Sequence, residues 1–240
     1  MHILPGIDDG PPDLAASLEL ARAAVADGVQ IGAATPHLRD DYPLVRPEEL
    51  AARCARLNSA LVDAGIALEV LPAAELDVLW AQRADADELQ LASFGQRGTD
   101  VLLETPYGPL APSFEAVIER LWSLGFRVLL AHPERSRTLQ QAPTRLAELV
   151  RGGLLVQITA SSLASREPRS AARAFAGYLI ERGMAHVIAS DTHAAKRFRP
   201  PNLSAGVAAV GAVDPELARW MVIDAPLAIL SGAPLRPPGR

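Results

Sequence analysis

A single cysteine in 240 residues leaves no internal disulfide framework and fits a reducing, cytoplasmic compartment. It also leaves one thiol as a possible nucleophile. Thiol-dependent tyrosine phosphatases need C-x5-R, and Cys54 sits in CARLNSA, with Ala60 where that arginine belongs. The string is helical and apolar around Cys54, which predicts an inert thiol. No apolar run approaches the ~18 residues that cross a bilayer, and the N-terminus lacks the charged and apolar regions of a leader peptide. The chain has no G-x-S-x-G elbow, no P-loop and no G-x-G-x-x-G. Aromatic residues make up only 5%, so Ala, Leu and Val must fill the core. The excess of charge is negative, at −5 with a pI of about 5.6, which argues against a nucleic-acid footprint. Phosphorylated substrates stay open, because local arginines decide their binding.

What is present is a core-forming fraction of 49% apolar residues, distributed as short apolar runs between amphipathic segments. Helices are predicted over 13–27, with Gly28 as a stop, over 47–65 between Pro47 and Gly65, and over 113–125, 144–153 and 167–184. Two more are predicted near 203–210 and 214–231, the second opened by Asp214-Pro215. Strand-like runs fall at 30–37, 67–76, 100–106, 127–134, 154–162 and 186–193. Short apolar strands alternating with helices predict a parallel α/β sheet. Six strands in a single domain spanning 1–240 suit a closed barrel better than an open sheet. The tail 233–240, PLRPPGR at its end, is expected to fray.

The ionisable residues fall in a pattern. His37, Glu75, Glu104, His132, Asp191 and His193 each follow an apolar run, while His2, Asp8 and Asp9 precede the first helix. In a parallel α/β barrel all strand C-termini share one face, so these residues would converge. Imidazoles mixed with carboxylates form a donor set for Mn²⁺, Fe²⁺ or Zn²⁺. Each has an ordinary alternative: a turn, a capping acid, a hydrogen-bonded histidine. Those alternatives share no reason to gather at strand ends. His186 begins a strand, on the other face, and reads as structural.

The strings HILPGIDDGP, ATPH, PAAEL, LLETP, LAHPER, QITASSL and ASDTH resemble, in order, the polymerase and histidinol phosphatase (PHP) superfamily. They are most similar to its bacterial capsule and exopolysaccharide tyrosine-phosphatase branch. The resemblance covers nearly the whole chain. It implies a distorted (β/α)7 barrel that binds two or three divalent metals, with Mn²⁺ foremost and Fe²⁺, Zn²⁺ or Mg²⁺ as alternatives. The implied ligands are His2, Asp9, His37, Glu75, Glu104, His132, Asp191 and His193. The implied catalytic residues are Arg135 in HPER, Arg199 in FRPP, and Asp9. The implied substrate is phosphotyrosine on a protein, a bacterial tyrosine-kinase tail above all, with neither nucleic acid nor membrane insertion involved.

One departure stands at the start. The branch's first strand ends in H-x-H before ILPGIDDG, and here only the second histidine, His2, is present. Either Met1 is an internal methionine with the strand upstream, or the first histidine is lost. Both predict a barrel short of its first strand, with unpaired edges, and a weakened metal site at His2. Two competing functions remain at this stage. One is hydrolysis of a small phosphoester such as histidinol phosphate. The other is a regulatory, catalytically weakened kinase partner. The loops 39–46, 105–113 and 194–201, which would select between substrates, carry no readable signal.

Overall fold

The computed structural model describes residues 1–167, 169–196 and 199–238. Parallel strands alternate with helices, as the patterning predicts. The strands are β1 (Ile31–Ala34), β2 (His37–Leu38), β3 (Glu69–Pro72), β4 (Glu75–Leu76), β5 (Asp100–Glu104), β6 (Arg127–Ala131), β7 (Leu155–Thr159) and β8 (Val187–Ala189). All pairings are parallel, in one sheet of order β2-β4-β5-β6-β7-β8 and a two-stranded sheet β1-β3. The predicted runs 30–37 and 67–76 are each split in two. The breaks fall at Thr35-Pro36 and Ala73-Ala74, and proline cannot donate to a ladder. The strands of the larger sheet are buried on both faces, with Val101, Leu103, Val128, Leu130, Val156 and Ile158 fully enclosed. Continuous apolar runs are what a helix-covered parallel sheet requires.

The helices are α1 (Leu14–Ala26), α2 (Leu50–Asp63), α3 (Val78–Arg83), α4 (Ala86–Ala92), α5 (Phe114–Ser123), α6 (Arg137–Gln141), α7 (Pro143–Arg151), α8 (Ala160–Leu163), α9 (Ala171–Glu181), α10 (Leu203–Gly211), α11 (Pro215–Arg219) and α12 (Ala225–Ser231). Local chemistry sets their starts. The Asp13 carboxylate caps α1 by accepting from Ala16 N. Asp85 and Glu88 form a reciprocal capping box on α4. The predicted helix over 214–231 is instead two short helices joined by a π-helical turn, Trp220–Asp224. Pro226 has no N–H to give to the ladder, and the widened turn accommodates it. None of the helices described is long and apolar enough to cross a membrane.

Met1 and His2 belong to no strand, yet they bridge two. The Met1 ammonium donates to Ala33 O at 3.0 Å. Thr35 N donates to Met1 O, and His2 N to Thr192 O, both at 2.9 Å. Beneath this bridge a cavity of about 160 Å³ separates β1 from β8, lined by Met1, Gly32, Leu102, Leu129, Ile188 and Ile229 among others. At the chain's other end, Ala233 O accepts from Arg127 Nη1 at 2.6 Å, and Leu235 packs on the core. Those contacts tie down the first part of a tail expected to fray, whose Gly239 and Arg240 lie outside the described residues.

Candidate metal centre

Strand register assembles the cluster. His37 pairs with Glu75 across β2 and β4. Glu104 lies two residues beyond Leu102, the partner of Glu75 on β5, and period-two alternation puts Glu75 and Glu104 on the same side of the sheet. His132 follows β6 in a left-handed conformation (φ 40°), and Asp191, just past β8, does the same (φ 49°). Non-glycine residues seldom adopt this backbone, and such strain concentrates at functional sites. His2 is held by its N–H bond to Thr192 O, and His193 by its own to Arg199 O.

The structure brings all eight candidate ligands together. Glu75 is central and 2% exposed. Its Oε2 lies 3.2 Å from His2 Nε2 and its Oε1 3.0 Å from His132 Nε2. Asp191 Oδ1 is 3.6 Å from His2 Nε2. Asp9 Oδ1 faces three imidazoles, at 3.4 Å from His193, 3.7 Å from His37 and 3.8 Å from His2. Glu104 Oε2 is 3.5 Å from His37 Nδ1. The rings of His2 and His193 stack with centroids 3.9 Å apart. Among the described residues three donor groups arise: His2, Asp9, His37 and His193; His2, Glu75 and Asp191; His37, Glu75 and Glu104. In each, the donor atoms lie within 4.8 Å of one another.

Carboxylates and imidazoles in the cluster act on one another's charge. Burial disfavours the charged form of Glu75, but hydrogen bonds from His132 and His2 overcome it and hold the carboxyl far below its usual range. Asp191 is depressed in the same way, against burial, by His2, His132 and Arg135. Asp9 falls to about 2 because His193, His2 and His37 outweigh its desolvation. The imidazoles answer: burial opposes charge on His2 and His132, yet the surrounding carboxylates raise both. His193 goes the other way, lowered by burial. Three buried atoms of the cluster, His37 Nδ1, Glu104 Oε1 and His132 Nδ1, have no hydrogen-bond partner among the described residues. Buried polar atoms are rarely left so. Oxygen and imidazole donors in this number fit divalent metal ions, and the residues present match such a ligand set.

Both candidate arginines reach the cluster at Asp191. Arg135 Nη1 donates to Asp191 Oδ2 at 2.8 Å. Arg199 Nη1 lies 3.4 Å from the same oxygen and 3.1 Å from His193 Nε2. Arg197 and Phe198 are outside the described residues. The two residues set apart as structural stay apart. Cys54 is buried in α2, and burial pushes its thiol up to about 12, where no thiolate forms. His186 sits at the opposite end of β8 and accepts from Val156 N through Nδ1 at 3.1 Å.

Sequence reasoning gathered Asp8 with the converging residues but gave it no role, and it missed Glu134; both support the cluster. Asp8, not only Asp9, matters: its Oδ2 is 2.7 Å from His2 Nδ1, and its oxygens accept from Gly10 N and His37 N. Adjacent acids in D-D-G cannot be told apart by type. The one local hint is Gly10, where a Cβ would sit 2.7 Å from His2 O. Glu134, fully buried, accepts from Thr159 N at 3.0 Å and Ser162 Oγ at 2.8 Å. It locks the turn bearing Arg135 to the start of α8, a long-range contact that HPER alone does not announce.

The chain is 35% identical over 195 residues to the tyrosine-protein phosphatase YwqE of Bacillus subtilis, covering 81% of this chain and 76% of that one. It is 29% identical over 194 residues to the putative tyrosine-protein phosphatase CapC of Staphylococcus aureus, covering 80% and 74%. A crystal structure from a study of YwqE and Streptococcus pneumoniae CpsB, described there as unique metal-dependent tyrosine phosphatases, superposes with a TM-score of 0.86. That match has 29% identity and covers 100% of this chain and 98% of the other. A family model for capsular polysaccharide synthesis, CpsB/CapC, matches residues 1–231. Matched over residues 1–231, the chain belongs to the CpsB/CapC family.

Proposed function

We propose that this protein is a metal-dependent phosphomonoesterase that removes phosphate from tyrosine in protein substrates. The observation that carries the reading is the convergence of both arginines and three donor groups around Asp191 and Glu75. The proposed ligands are His2, Asp9, His37, Glu75, Glu104, His132, Asp191 and His193. They would hold two or three divalent ions, Mn²⁺ foremost. Bound there, the ions would supply Lewis-acid charge and bring the pKa of an attacking water toward 7. Asp9 stands at the exposed edge of the cluster, with three imidazoles around one oxygen, and serves to fix and orient them. Arg135 and Arg199, which meet at Asp191, would give N–H groups to the phosphate oxygens, and charge-assisted bonds from guanidinium are the strong kind. The leaving phenol has a free pKa of about 10, so it departs with little help from a general acid. No thiol takes part, given the raised pKa of Cys54.

The architecture is read as a distorted (β/α)7 barrel. Six extended runs carry β1 to β8, and Met1-His2 spans the gap between the first run and β8 through hydrogen bonds on both sides. The partner proposed is a bacterial tyrosine kinase, in the cytoplasm, acting in capsule or exopolysaccharide synthesis. The family description supports the capsule role, and the names of the relatives support a phosphotyrosine protein as substrate.

The test is hydrolysis by the purified chain supplied with Mn²⁺. The expected result is a kcat/KM on a phosphotyrosine peptide at least about tenfold above that on histidinol phosphate, abolished by a chelator. A preference for histidinol phosphate overturns the substrate. A protein that takes up no metal overturns the mechanism and favours a regulatory role.

A further inference from the structure

Two tyrosines cover two of the imidazoles. Tyr42 stacks on His37 with centroids 5.6 Å apart and planes 13° from parallel. Tyr107 stacks on His132 at 5.9 Å and 23°. Strand order places His37 and His132 on β2 and just past β6, with β4 and β5 between, so the two rings bound the cluster from separate sides. Each ring also carries an arginine. Arg39 lies 5.3 Å over the Tyr42 ring, and Arg199 Nη2 donates to the Tyr107 hydroxyl at 3.1 Å. Tyr42 is half-buried, whereas Tyr107 is 56% exposed, which leaves a ring face open beside an arginine proposed to bind phosphate.

The segment that holds Tyr107 is stiff. In TPYGPLAPS, residues 105–113, prolines occupy 106, 109 and 112. Each fixes φ and lowers the entropy lost on ordering. The Thr105 hydroxyl donates to Ala131 O, next to His132, and pins the base of the loop to β6. A large apolar surface that is exposed and yet preorganised, over a site lined by charge, is what recognition of a ring requires.

We infer that Tyr107 is the specificity-determining residue for the leaving group: the free face of its ring packs against the aryl ring of the phosphoester, beside Arg199. The site thereby selects aryl over alkyl phosphates. This rests on the proposed phosphatase reading. Aromatic packing distinguishes the two classes because a serine or threonine phosphate offers no π-face to stack.

The experiment needs no turnover, so it separates the two ideas. Calorimetry of the Mn²⁺-supplied protein measures dissociation constants for phenylphosphonate and methylphosphonate, and their ratio is compared among parent, Tyr107→Ala and Tyr107→Phe. Phosphotyrosine-peptide hydrolysis by the parent is followed separately and tests the phosphatase reading alone. The expected result is an aryl preference that falls about tenfold in Tyr107→Ala, equivalent to about 1.4 kcal/mol, and stays within about twofold of the parent in Tyr107→Phe, since the ring remains. An unchanged ratio in Tyr107→Ala overturns the inference. So does an equal loss in Tyr107→Phe, which would assign the effect to the hydroxyl. Circular dichroism of both variants excludes misfolding as the source of a changed ratio.

Discussion

Strand β5 begins with Asp100 and ends with Glu104; β6 begins with Arg127 and is followed by His132; β8 is preceded by His186 and followed by Asp191. The same residue types stand at both ends of neighbouring strands, and their surroundings differ. At the strand starts each finds a complete partner within the chain. Arg127 grips both oxygens of Asp100, at 2.7 and 2.8 Å. His186 stays neutral as an acceptor from Val156 N. At the strand ends the groups face one another instead. Glu75 is shared by two imidazoles, and Glu104 Oε1 and His132 Nδ1 have no hydrogen-bond partner among the described residues. The contrast teaches that ionisable residues are structural where the fold satisfies them, and chemical where it collects them without doing so.

Substitution at Glu75 should break this contrast most severely. Glu75→Gln removes the charge shared by His2 and His132 while keeping the shape. The expected outcome is a loss of bound Mn²⁺, read by elemental analysis, and a fall in phosphotyrosine hydrolysis of at least about 1,000-fold. Full metal content in the variant would show that the charge of Glu75 is not needed to hold an ion.

The complementary test is Asp100→Ala. It leaves Arg127 without its partner at a position 30% exposed. Breaking a buried pair costs about 3–5 kcal/mol, and the partial exposure of Arg127 places the expected loss near the lower end, about 3 kcal/mol. Urea unfolding reads it as a lowered midpoint at unchanged slope. Metal affinity should not move. A variant of parental stability would show that this pair is not structural.

Acid titration of stability examines the same end of the strands. Burial pushes His186 down to about 4, against about 6.5 in the unfolded chain. The fold therefore holds the neutral ring. Its contribution is full above pH 6.5, declines as the unfolded chain gains a proton between 6.5 and 4, and is lost below. The expected loss is about 2–3 kcal/mol across that window, and His186→Gln should flatten that part of the curve. An identical curve for the variant would remove His186 from the account.

The fold was legible because apolar runs and glycine stops are local, and six strand runs sit where hydropathy places them. Five of the proposed ligands stood out for the same reason: His37, Glu75, Glu104, His132 and Asp191 are each the first ionisable residue after an apolar run. Helices α3 and α4 escaped the reading although their signal is present: Asp77 caps the first, and Asp85 with Glu88 boxes the second. Each spans two turns or fewer, too short for a periodicity to register. The split of 214–231 follows from Pro226 and is legible in hindsight. Glu134 and Tyr107 are different in kind. The partners of Glu134 are 25 and 28 residues away, and Arg199 is 92 residues from Tyr107, so no local pattern encodes either role.

The smallest expected effect separates two adjacent residues. Asp8 and Asp9 follow one another, yet one faces a histidine's far nitrogen and the other the donor groups themselves. His2 Nδ1 donates to Asp8 Oδ2, which turns Nε2 toward Glu75 and Asp191. A carboxylate behind a ligating imidazole fixes its tautomer and raises its basicity, and losing one costs about 10–100-fold in metal affinity. Asp8→Asn should fall within that range, since the amide oxygen still accepts a bond but carries no charge. Asp9→Asn should cost more, because Asp9 Oδ1 lies within a donor group. Chelator competition with Mn²⁺ ranks the two. If Asp8→Asn proves the more damaging, then Asp8 is the ligand and Asp9 the support, and the division of labour within D-D-G is reversed.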